Sequence, residues 1–239
     1  MKAMIFAAGT GTRMRPLTEH CPKPLLKVGG RALIVWHILN LVRAGITDIV
    51  INVNYLGHMI EQELGTGERY GAQISYSHEN RLLETAGGVA FARDLLGPEP
   101  FVAISADIYC PHFDFSQVLD ALHSADVWGV PYPADRRDHA WLYLVPNPPE
   151  HPQGDFALNL FSLANQGTPS YTYSGISVLD PAMFSPIQAG ECVKLVTVLR
   201  EYAEKGLLGG ELYRGTWVDV GTPARLEQLN THLNRGLSS

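Results

Sequence analysis

The first half of the chain alternates short apolar runs with longer segments whose apolar residues recur at helical spacing. The short runs are typical of buried parallel strands; they are "KAMIFAA", "DIVINVN", "AQISYSH" and "FVAISAD". The longer segments indicate helices, and the first two end at a glycine, a common C-cap; they are "ALIVWHILNLVRAG", "YLGHMIEQELG" and "TAGGVAFARDLLG". Strands that alternate with helices predict βαβ units and a parallel sheet with helices on both faces.

The second half has a different pattern, in which strand-like runs follow one another with Pro-, Asn- and Gly-rich turns between them. These runs are "DVWGVPY", "AWLYLVP", "GDFALNLFSL" and "YTYSGISVL". An amphipathic helix "VKLVTVLREYAEKG", a strand-like run "ELYRGTWVDVG" and a last helix that begins at Pro223 complete the chain. Because we see neither an internal repeat nor a linker, we expect an α/β protein with one continuous domain and a mostly parallel mixed sheet.

Charge and composition limit the classes of partner. The 239 residues carry a formal net charge of −6, which argues against nucleic acid as a main partner. No apolar run approaches the roughly 20 residues of a membrane-spanning helix, so we expect no membrane partner. The three cysteines are far apart and odd in number, which favours reduced thiols in a cytoplasmic protein.

The segment after the first strand, "FAAGTGTRMRPLTEHCPKPL", combines glycines with cations. It lacks the dinucleotide fingerprint G-x-G-x-x-G, since Met14 occupies the third glycine position, and it lacks the Gly-Lys pair of a phosphate loop. What remains is G-x-G-x-R, with Lys23 ten residues after Arg13. Glycine lets backbone N–H groups approach phosphate oxygens, and Arg can hold a phosphate with two parallel hydrogen bonds. A solvated loop with incidental cations is the alternative.

Two aspartates follow apolar stretches. Asp107 ends the fourth strand, and Asp219 lies in "WVDVGTP". Ligands of parallel α/β sheets bind beyond the carboxyl ends of the strands, so we expect Asp107 and the glycine-rich loop to face one site. Magnesium takes such oxygen ligands, although each aspartate could instead cap a turn. The nearby Asp-Cys-His combination in "DIYCPH" lacks a second ligand pair at zinc spacing.

The run "AAGTGTRMRPLT…PKPL" closely resembles the signature of the sugar-1-phosphate nucleotidyltransferases. Later segments fit the same family in the same order along nearly the whole chain; they are "LLETAGGV", "ISADIY", "TYSGISVL" and "WVDVGTP". The resemblance implies a Rossmann-like, GT-A-like nucleotidyltransferase fold, with a nucleotide-binding half at about residues 1–125 and a sugar-phosphate-binding half at about 126–239. It also implies Mg²⁺ as cofactor, and transfer of a uridylyl group from UTP to N-acetylmuramic acid 1-phosphate in peptidoglycan recycling.

The resemblance assigns roles to individual residues. Lys23 and Arg13 are the expected catalytic residues, and Asp107 and Asp219 the expected metal ligands. The expected nucleotide-binding residues are Ala8, Gly9, Gly11, Thr12, Arg13, Lys23, Glu79, Asn80 and Gly87. The expected substrate-binding residues are Ser105, Asp155, Ser174, Gly175 and Lys194. The stretch from Glu79 to Gly88 could instead be a plain turn, and Lys194 a solvated lysine at the start of a helix.

The sequence departs from the family at Ala106, where relatives usually carry glycine before the aspartate. Ala106 motivates one alternative, a non-catalytic nucleotide-sugar sensor. Two others are another family member that uses dTTP, GTP or CTP with glucose or mannose 1-phosphate, and a dinucleotide-dependent oxidoreductase, the generic interpretation of a glycine-rich loop. We expect sugar selectivity to depend on loops in residues 130–175, and the protein to be a monomer or a small homo-oligomer.

Overall fold

The computed structural model of the protein describes residues 1–118, 126–127, 130–131 and 139–236. Fifteen strands are found in these residues: β1 Ala3–Phe6, β2 Lys27–Val28, β3 Arg31–Ala32, β4 Asp48–Val53, β5 Gln73–His78, β6 Phe101–Ser105, β7 Ile108–Tyr109, β8 Asp126–Val127, β9 Val130–Pro131, β10 Ala140–Val145, β11 Phe156–Asn159, β12 Ser162–Ala164, β13 Ser170–Leu179, β14 Leu208–Leu212 and β15 Val218–Asp219. The α-helices of the same residues are α1 Leu33–Arg43, α2 Gly57–Leu64, α3 Glu84–Phe91, α4 Arg93–Leu96, α5 Leu195–Glu204 and α6 Pro223–Gly236.

The chain forms two compact units. The first unit comprises Ala3–Leu82, Ile104–Phe113 and the residues from Gly215 onward. The second unit comprises Met1–Lys2, Leu83–Ala103 and Asp114–Arg214. Each unit is therefore assembled from separate stretches of sequence. The expected nucleotide-binding half at about 1–125 and sugar-phosphate-binding half at about 126–239 stay a prediction.

The first unit is built on parallel strands. β1 pairs with β4 and β4 pairs with β5, all parallel and in register over their full lengths. Because side chains of β1 and β4 are buried on both faces, these strands have the continuous apolar sequences of a covered parallel sheet. A separate apolar cluster joins α6 to the glycine-rich loop and to β7; it contains Met14, Leu26, Val28, Leu33, Tyr109, Val220, Leu226 and Leu229.

The second unit has a mixed sheet. β10 lies parallel to β14 and antiparallel to β13, while β11 pairs antiparallel with both β12 and β13. α5 places its buried residues Leu195, Val198 and Leu199 against this unit and leaves its other face exposed. The expected α/β class with a mixed, helix-flanked sheet is confirmed.

Three of the expected strands differ in the structure. The run "GDFALNLFSL" is a hairpin of β11 and β12, because Leu160 adopts a positive φ of 54° and turns the chain between them. The run "ELYRGTWVDVG" contributes the end of β14 and the separate short strand β15. The expected strand "DVWGVPY" appears as the antiparallel pair β8 and β9, and its residues 128–129 and 132 lie outside the described part of the chain. No helix in the described ranges is both long enough and apolar enough to cross a bilayer.

Candidate active site

The glycine-rich loop folds back on itself directly after β1. Gly11 has a φ of +61°, and its carbonyl accepts hydrogen bonds from the Thr18 hydroxyl and from the Met14 N–H, both at 2.8 Å. A Cβ at Gly11 would lie 3.0 Å from the Thr18 methyl group. The second glycine of G-x-G-x-R is thus required both by backbone conformation and by space.

Lys23 is turned inward from this loop. It begins a short 3₁₀-helix, Lys23–Leu25, and is only 8% exposed. Its Nζ donates to Oδ2 of Asp107 at 2.8 Å. Asp107 follows β6 and is better exposed, at 39% of its side chain. The structure therefore brings together the loop and the aspartate that the sequence placed at one edge of the sheet.

The second candidate metal ligand, Asp219, lies on the strand next to the segment of Asp107. β15 pairs antiparallel with β7, so that Asp219 is opposite Ile108, and the Val220 N–H donates to the Asp107 carbonyl at 3.0 Å. The Asp219 carboxylate bends back over Gly221, where a Cβ would meet its Oδ2 at 2.9 Å. There Oδ2 accepts a hydrogen bond from Arg225 Nη1 at 2.6 Å.

This pair of carboxylates suits a hard cation. Magnesium is typically held by one or two carboxylates together with waters and substrate phosphates. In the residues that the structure describes, no group of three or more His, Cys, Asp or Glu side chains is arranged to hold a metal ion. Asp107 and Asp219 have the ligand type that magnesium takes, and their role as its ligands stays a prediction.

Polar side chains of α1 support the backbone on which Asp107 lies. His37 Nε2 lies 3.0 Å from the Ile108 carbonyl, and Asn40 Nδ2 donates to the carbonyls of Cys110 and Pro111. Because a carbonyl can only accept, Nε2 of His37 carries the proton. Burial lowers the pKa of His37 to about 4, against the weaker opposing effects of this hydrogen bond and of the Asp107 charge. His37 is thus a neutral donor at physiological pH.

Hydrogen bonds of a buried asparagine connect the segment after β1 to the segment after β5. Asn52, at the end of β4, accepts the Ala7 N–H at 2.9 Å through Oδ1. Its Nδ2 donates to Oε1 of Glu79 at 2.6 Å. Glu79 is 5% exposed, whereas the neighbouring Asn80 is exposed. Of the two candidates for contact with the base, Glu79 is the one that the fold holds in place.

The remaining nucleotide candidates lie at the surface of the loop or next to it. Thr12 and Arg13 are exposed, and Ala8 is 7% exposed. Gly9 has open space around the position of a Cβ, with no heavy atom within 4 Å. An anion could therefore approach the backbone at Gly9 without displacing protein atoms.

Gly87 and Ala106 both have local structural explanations. At Gly87, which is in the second unit, a Cβ would lie 2.1 Å from the Glu191 carbonyl, so this glycine is required by packing of α3 against that segment. Ala106 is 1% exposed, and it is absent from the non-glycine residues with positive φ in the described chain. An alanine is thus compatible with the backbone at this position. Ser105, at the end of β6, is half-buried.

Three of the four sugar-phosphate candidates in the second unit are close together. Asp155 accepts the Tyr173 N–H at 2.8 Å through Oδ2, and its Oδ1 lies 3.1 Å from His151 Nε2. Ser174 and Gly175 form a bulge in β13, where the register with β10 shifts and Gly175 has a φ of +84°. The fourth candidate, Lys194, is exposed at the N-cap of α5.

Sequence reasoning missed four residues of this site: His37, Asn40, Asn52 and Arg225. His37 is within an apolar helical run, and Arg225 follows a proline that opens a helix. Neither position carries a sequence signal of function. Asn52 does carry one, because it is a polar residue near the carboxyl end of an otherwise apolar strand, where ligands bind.

Comparison with known proteins gives consistent results. Residues 2–136 match the nucleotidyl transferase family. The chain is 44% identical over 232 residues to an N-acetylmuramate alpha-1-phosphate uridylyltransferase of Neisseria meningitidis serogroup B, which covers 95% of the chain and 96% of that relative. It is 31% identical over 239 residues to mannose-1-phosphate guanyltransferase beta-A of Xenopus laevis, covering 93% of the chain and 62% of that relative.

A solved structure from Bacillus anthracis, described as a glucose-1-phosphate thymidylyltransferase, superimposes with a TM-score of 0.81. The two proteins are 22% identical, and the match covers 98% of this chain and 95% of the other. At this identity the likeness concerns the fold, and it confirms the expected nucleotidyltransferase fold.

Proposed function

The chain belongs to the nucleotidyl transferase family, and on that premise we propose that it forms UDP-N-acetylmuramic acid and pyrophosphate from UTP and N-acetylmuramic acid 1-phosphate. The observation that carries this proposal is the 44% identity to the Neisseria uridylyltransferase, which spans 95% of the chain and 96% of that relative. The product would serve peptidoglycan recycling in the cytoplasm. The enzyme would act as a monomer or a small homo-oligomer.

The reaction needs no general base. An oxygen of the sugar phosphate, which is already an anion, attacks the α-phosphorus of UTP. A new P–O bond forms while the bond from the α-phosphorus to the bridging oxygen breaks, and pyrophosphate leaves with those electrons. The protein must hold two mutually repelling anions and stabilise the transferred charge, so catalysis is positioning plus electrostatics.

Lys23 and Arg13 are the cations that we assign to the triphosphate. Lys23 is 8% exposed and is held at 2.8 Å by Asp107, so its ammonium is already oriented before substrate binds. A preorganised donor stabilises developing charge without reorganisation at the moment of reaction. Arg13 is exposed and can turn toward the phosphates, while backbone N–H groups near Gly9, Gly11 and Thr12 can donate to them.

Asp107 and Asp219 would hold Mg²⁺. When bound, the metal supplies charge neutralisation and orients the α-phosphate for in-line attack. The α1 side chains His37 and Asn40 keep the backbone after Asp107 in place through the carbonyls of Ile108 and Cys110. We assign four residues of the second unit to the sugar phosphate: Asp155, Ser174, Gly175 and Lys194. Ser105, at the end of β6, is assigned to the same substrate.

One alternative function has an observation in its favour. The 31% identity to the Xenopus guanyltransferase supports transfer of a guanylyl group to mannose 1-phosphate, although this chain spans only 62% of that relative. The sensor alternative was based on Ala106, and the backbone at this position accepts alanine without a positive φ. Ala106 therefore gives no reason to prefer a sensor. The oxidoreductase alternative is contradicted by the family match.

The two functions are separated by product analysis. Purified protein with Mg²⁺ is given UTP or GTP together with N-acetylmuramic acid 1-phosphate or mannose 1-phosphate, and the products are resolved by ³¹P NMR. We expect the two coupled diphosphate resonances of a UDP-sugar with UTP and the muramic acid phosphate. A GDP-sugar with mannose 1-phosphate as the main product would replace our proposal with the alternative.

A further inference from the structure

Tyr55 lies shortly after β4, and its hydroxyl reaches the glycine-rich loop. This hydroxyl donates to the carbonyls of Thr18 and Glu19, at 3.1 and 3.3 Å, across 37 and 36 positions of sequence. A tyrosine hydroxyl has one hydrogen, so the two carbonyls share this bond. Tyr55 therefore connects the middle of the glycine-rich loop to the segment that follows β4.

The segment that carries Tyr55 is fixed on both sides of that residue. Before it, Asn54 Nδ2 donates to the main-chain carbonyl of Glu79 at 2.6 Å. After it, Leu56 has a φ of 52° and forms the N-cap of α2. A bulky residue is disfavoured in this left-handed region and persists there only where the surrounding structure requires it. The Tyr55 hydroxyl is thus presented to the loop from a fixed backbone.

Thr18 carries the contact from Tyr55 inward to Gly11. Thr18 is 1% exposed, and its hydroxyl donates to the Gly11 carbonyl at 2.8 Å. The same carbonyl accepts the Met14 N–H, also at 2.8 Å. A carbonyl oxygen has two lone pairs, so both acceptor positions of Gly11 are used inside the loop.

These two hydrogen bonds set the direction of the peptide between Gly11 and Thr12. This peptide is not among the cis bonds of the described chain, so its C=O and N–H point in opposite directions. Because the carbonyl faces Thr18, the Thr12 N–H faces away from it. A Cβ at Gly11 would lie 3.3 Å from the Cβ of Lys23. The peptide therefore lies directly beside the lysine that we assign to the triphosphate.

We propose that Tyr55 and Thr18 are positioning residues, which together hold the Gly11–Thr12 peptide with its N–H toward the phosphates of the nucleotide. This inference rests on the triphosphate-binding role of the loop in the proposed function. Each side chain acts through the loop backbone and needs no contact with the nucleotide. Without the Thr18 hydroxyl the peptide is free to rotate, and its carbonyl, which only accepts, would then repel phosphate oxygens. A peptide oriented in advance avoids that reorganisation.

Calorimetry of UTP binding, with Mg²⁺ and without sugar phosphate, tests the proposal. Tyr55→Phe and Thr18→Val each remove one hydroxyl at nearly unchanged shape. We expect each variant to bind UTP about tenfold more weakly than the wild type, the size of one hydrogen bond to a charged group. Thr18→Ser keeps the hydroxyl and should restore the wild-type affinity. The same measurements are made with GTP.

Tyr76→Phe is the matched control for Tyr55→Phe. The Tyr76 hydroxyl also donates to a main-chain carbonyl of the first unit, that of Gly65 at 2.7 Å, which is outside the glycine-rich loop. Both variants lose the same kind of hydrogen bond, so thermal unfolding should show similar melting temperatures. Only Tyr55→Phe should lose affinity for UTP. An equal loss in both variants would indicate a general structural effect and would contradict the proposal.

NMR of protein labelled with ¹⁵N-threonine tests the orientation of the peptide directly. The Thr12 amide resonance is identified by its absence in Thr12→Ser. A phosphate oxygen that accepts this N–H deshields its proton. We therefore expect UTP to move the Thr12 amide proton downfield in the wild type and in Thr18→Ser, and to leave it in place in Thr18→Val. A merely structural role of Thr18 would not produce this difference.

Three further results would overturn the inference: a wild type that binds neither UTP nor GTP, a wild-type Thr12 amide that does not respond to bound nucleotide, or wild-type affinity in both Tyr55→Phe and Thr18→Val. Failure of the proposed function would look different, since none of these measurements needs turnover. The predicted binding and NMR pattern, without pyrophosphate release from UTP and N-acetylmuramic acid 1-phosphate, would support the inference and refute the proposed reaction.

Discussion

Lys23 and Arg225 each donate to one of the two candidate magnesium ligands, at 2.8 Å from Asp107 and 2.6 Å from Asp219. The two carboxylates are 39% and 28% exposed. The Arg225–Asp219 pair, with side chains 23% and 28% exposed, contributes little net stability, because solvent screens it and water competes for both partners. That pair can therefore be exchanged for a metal ion at small cost, whereas the Lys23 side chain is only 9% exposed and stays oriented toward the site.

Lys23→Ala tests the catalytic role of the buried lysine. Loss of one preorganised donor should lower kcat by about 10² to 10³-fold, equivalent to about 3–4 kcal/mol of transition-state stabilisation. Lys27→Ala is the matched control, since Lys27 is exposed on β2 four residues further on. Pyrophosphate release measures both variants. Near-normal turnover in Lys23→Ala would show that another group carries this charge.

Arg225→Gln tests Asp219 as a metal ligand. Removing a positive charge 2.6 Å from the carboxylate removes a competitor of the divalent cation, so we expect tighter binding of Mn²⁺, by roughly tenfold. Electron paramagnetic resonance of free Mn²⁺ measures this without turnover. Arg235→Gln, an exposed position on the same helix, should leave the affinity unchanged. Equal Mn²⁺ affinity in the wild type and Arg225→Gln would argue against Asp219 as a ligand.

At the scale of elements, helix α1 and strands β7 and β15 form the support beneath the candidate metal ligands. The sequence predicted α1 correctly from its apolar periodicity, but the same periodicity conceals His37, whose ring is 1% exposed under the Ile108 carbonyl. The two-residue strands β7 and β15 are too short to produce a pattern. Their pairing depends on contacts between segments more than 100 residues apart, which no local signal reports.

His37 gives the protein a pH-dependent stability. Its pKa is about 4 in the folded state and 6.5 in the reference state, so the unfolded chain binds the extra proton between these values. Stability contributed by neutral His37 is full above pH 6.5 and is lost as pH falls toward 4. At pH 5 the loss is about 2 kcal/mol.

Chemical denaturation at pH 7 and pH 5 measures this effect. The difference in unfolding free energy between the two pH values should shrink by about 2 kcal/mol in His37→Gln, whose side-chain amide can still donate to Ile108. His112→Gln, at an exposed position, should keep the full difference. An unchanged difference in His37→Gln would mean that His37 is not held neutral.

Two glycines of the sequence motifs have opposite structural surroundings. Gly87→Ala places a methyl group 2.1 Å from the Glu191 carbonyl and should destabilise the protein by about 3 kcal/mol. Gly9→Ala meets no heavy atom within 4 Å and should leave the melting temperature unchanged, while a lowered affinity for UTP is expected from the phosphate approach assigned there. Thermal unfolding and calorimetry measure both. A stable Gly87→Ala variant would contradict the packing explanation.

At the scale of the whole molecule, the fold class and the first-unit site were accessible from sequence, and much of the second half was not. Strands β1 and β4 of the first unit are buried on both faces, and such strands produce continuous apolar runs. Strand β5, which the sequence also predicted as buried, has mostly exposed or partly exposed side chains. The strands of the second unit are interrupted by local geometry, such as the turn at Leu160 and the bulge at Gly175. Those interruptions depend on neighbouring strands, so the apolar pattern alone cannot place them.

The family likewise could be recognised from the glycine-rich loop, because that loop is nearly continuous in sequence. The pairing of Lys23 with Asp107 spans 84 residues, and the pairing of Arg225 with Asp219 depends on how α6 begins. The motif therefore predicts which residues belong to the site, and the structure shows the hydrogen-bond partner of each. Residues 132–138, part of the segment expected to set sugar selectivity, lie outside the described chain.

The most direct test of the central claim is the rate of pyrophosphate release by the wild-type protein with Mg²⁺, UTP and N-acetylmuramic acid 1-phosphate. The same assay is run with each other nucleoside triphosphate, and with glucose 1-phosphate and mannose 1-phosphate. We predict rapid release with UTP and the muramic acid phosphate, and release at least about tenfold slower with every other pair. Faster release with a different pair, or no release with any pair, would contradict the assignment.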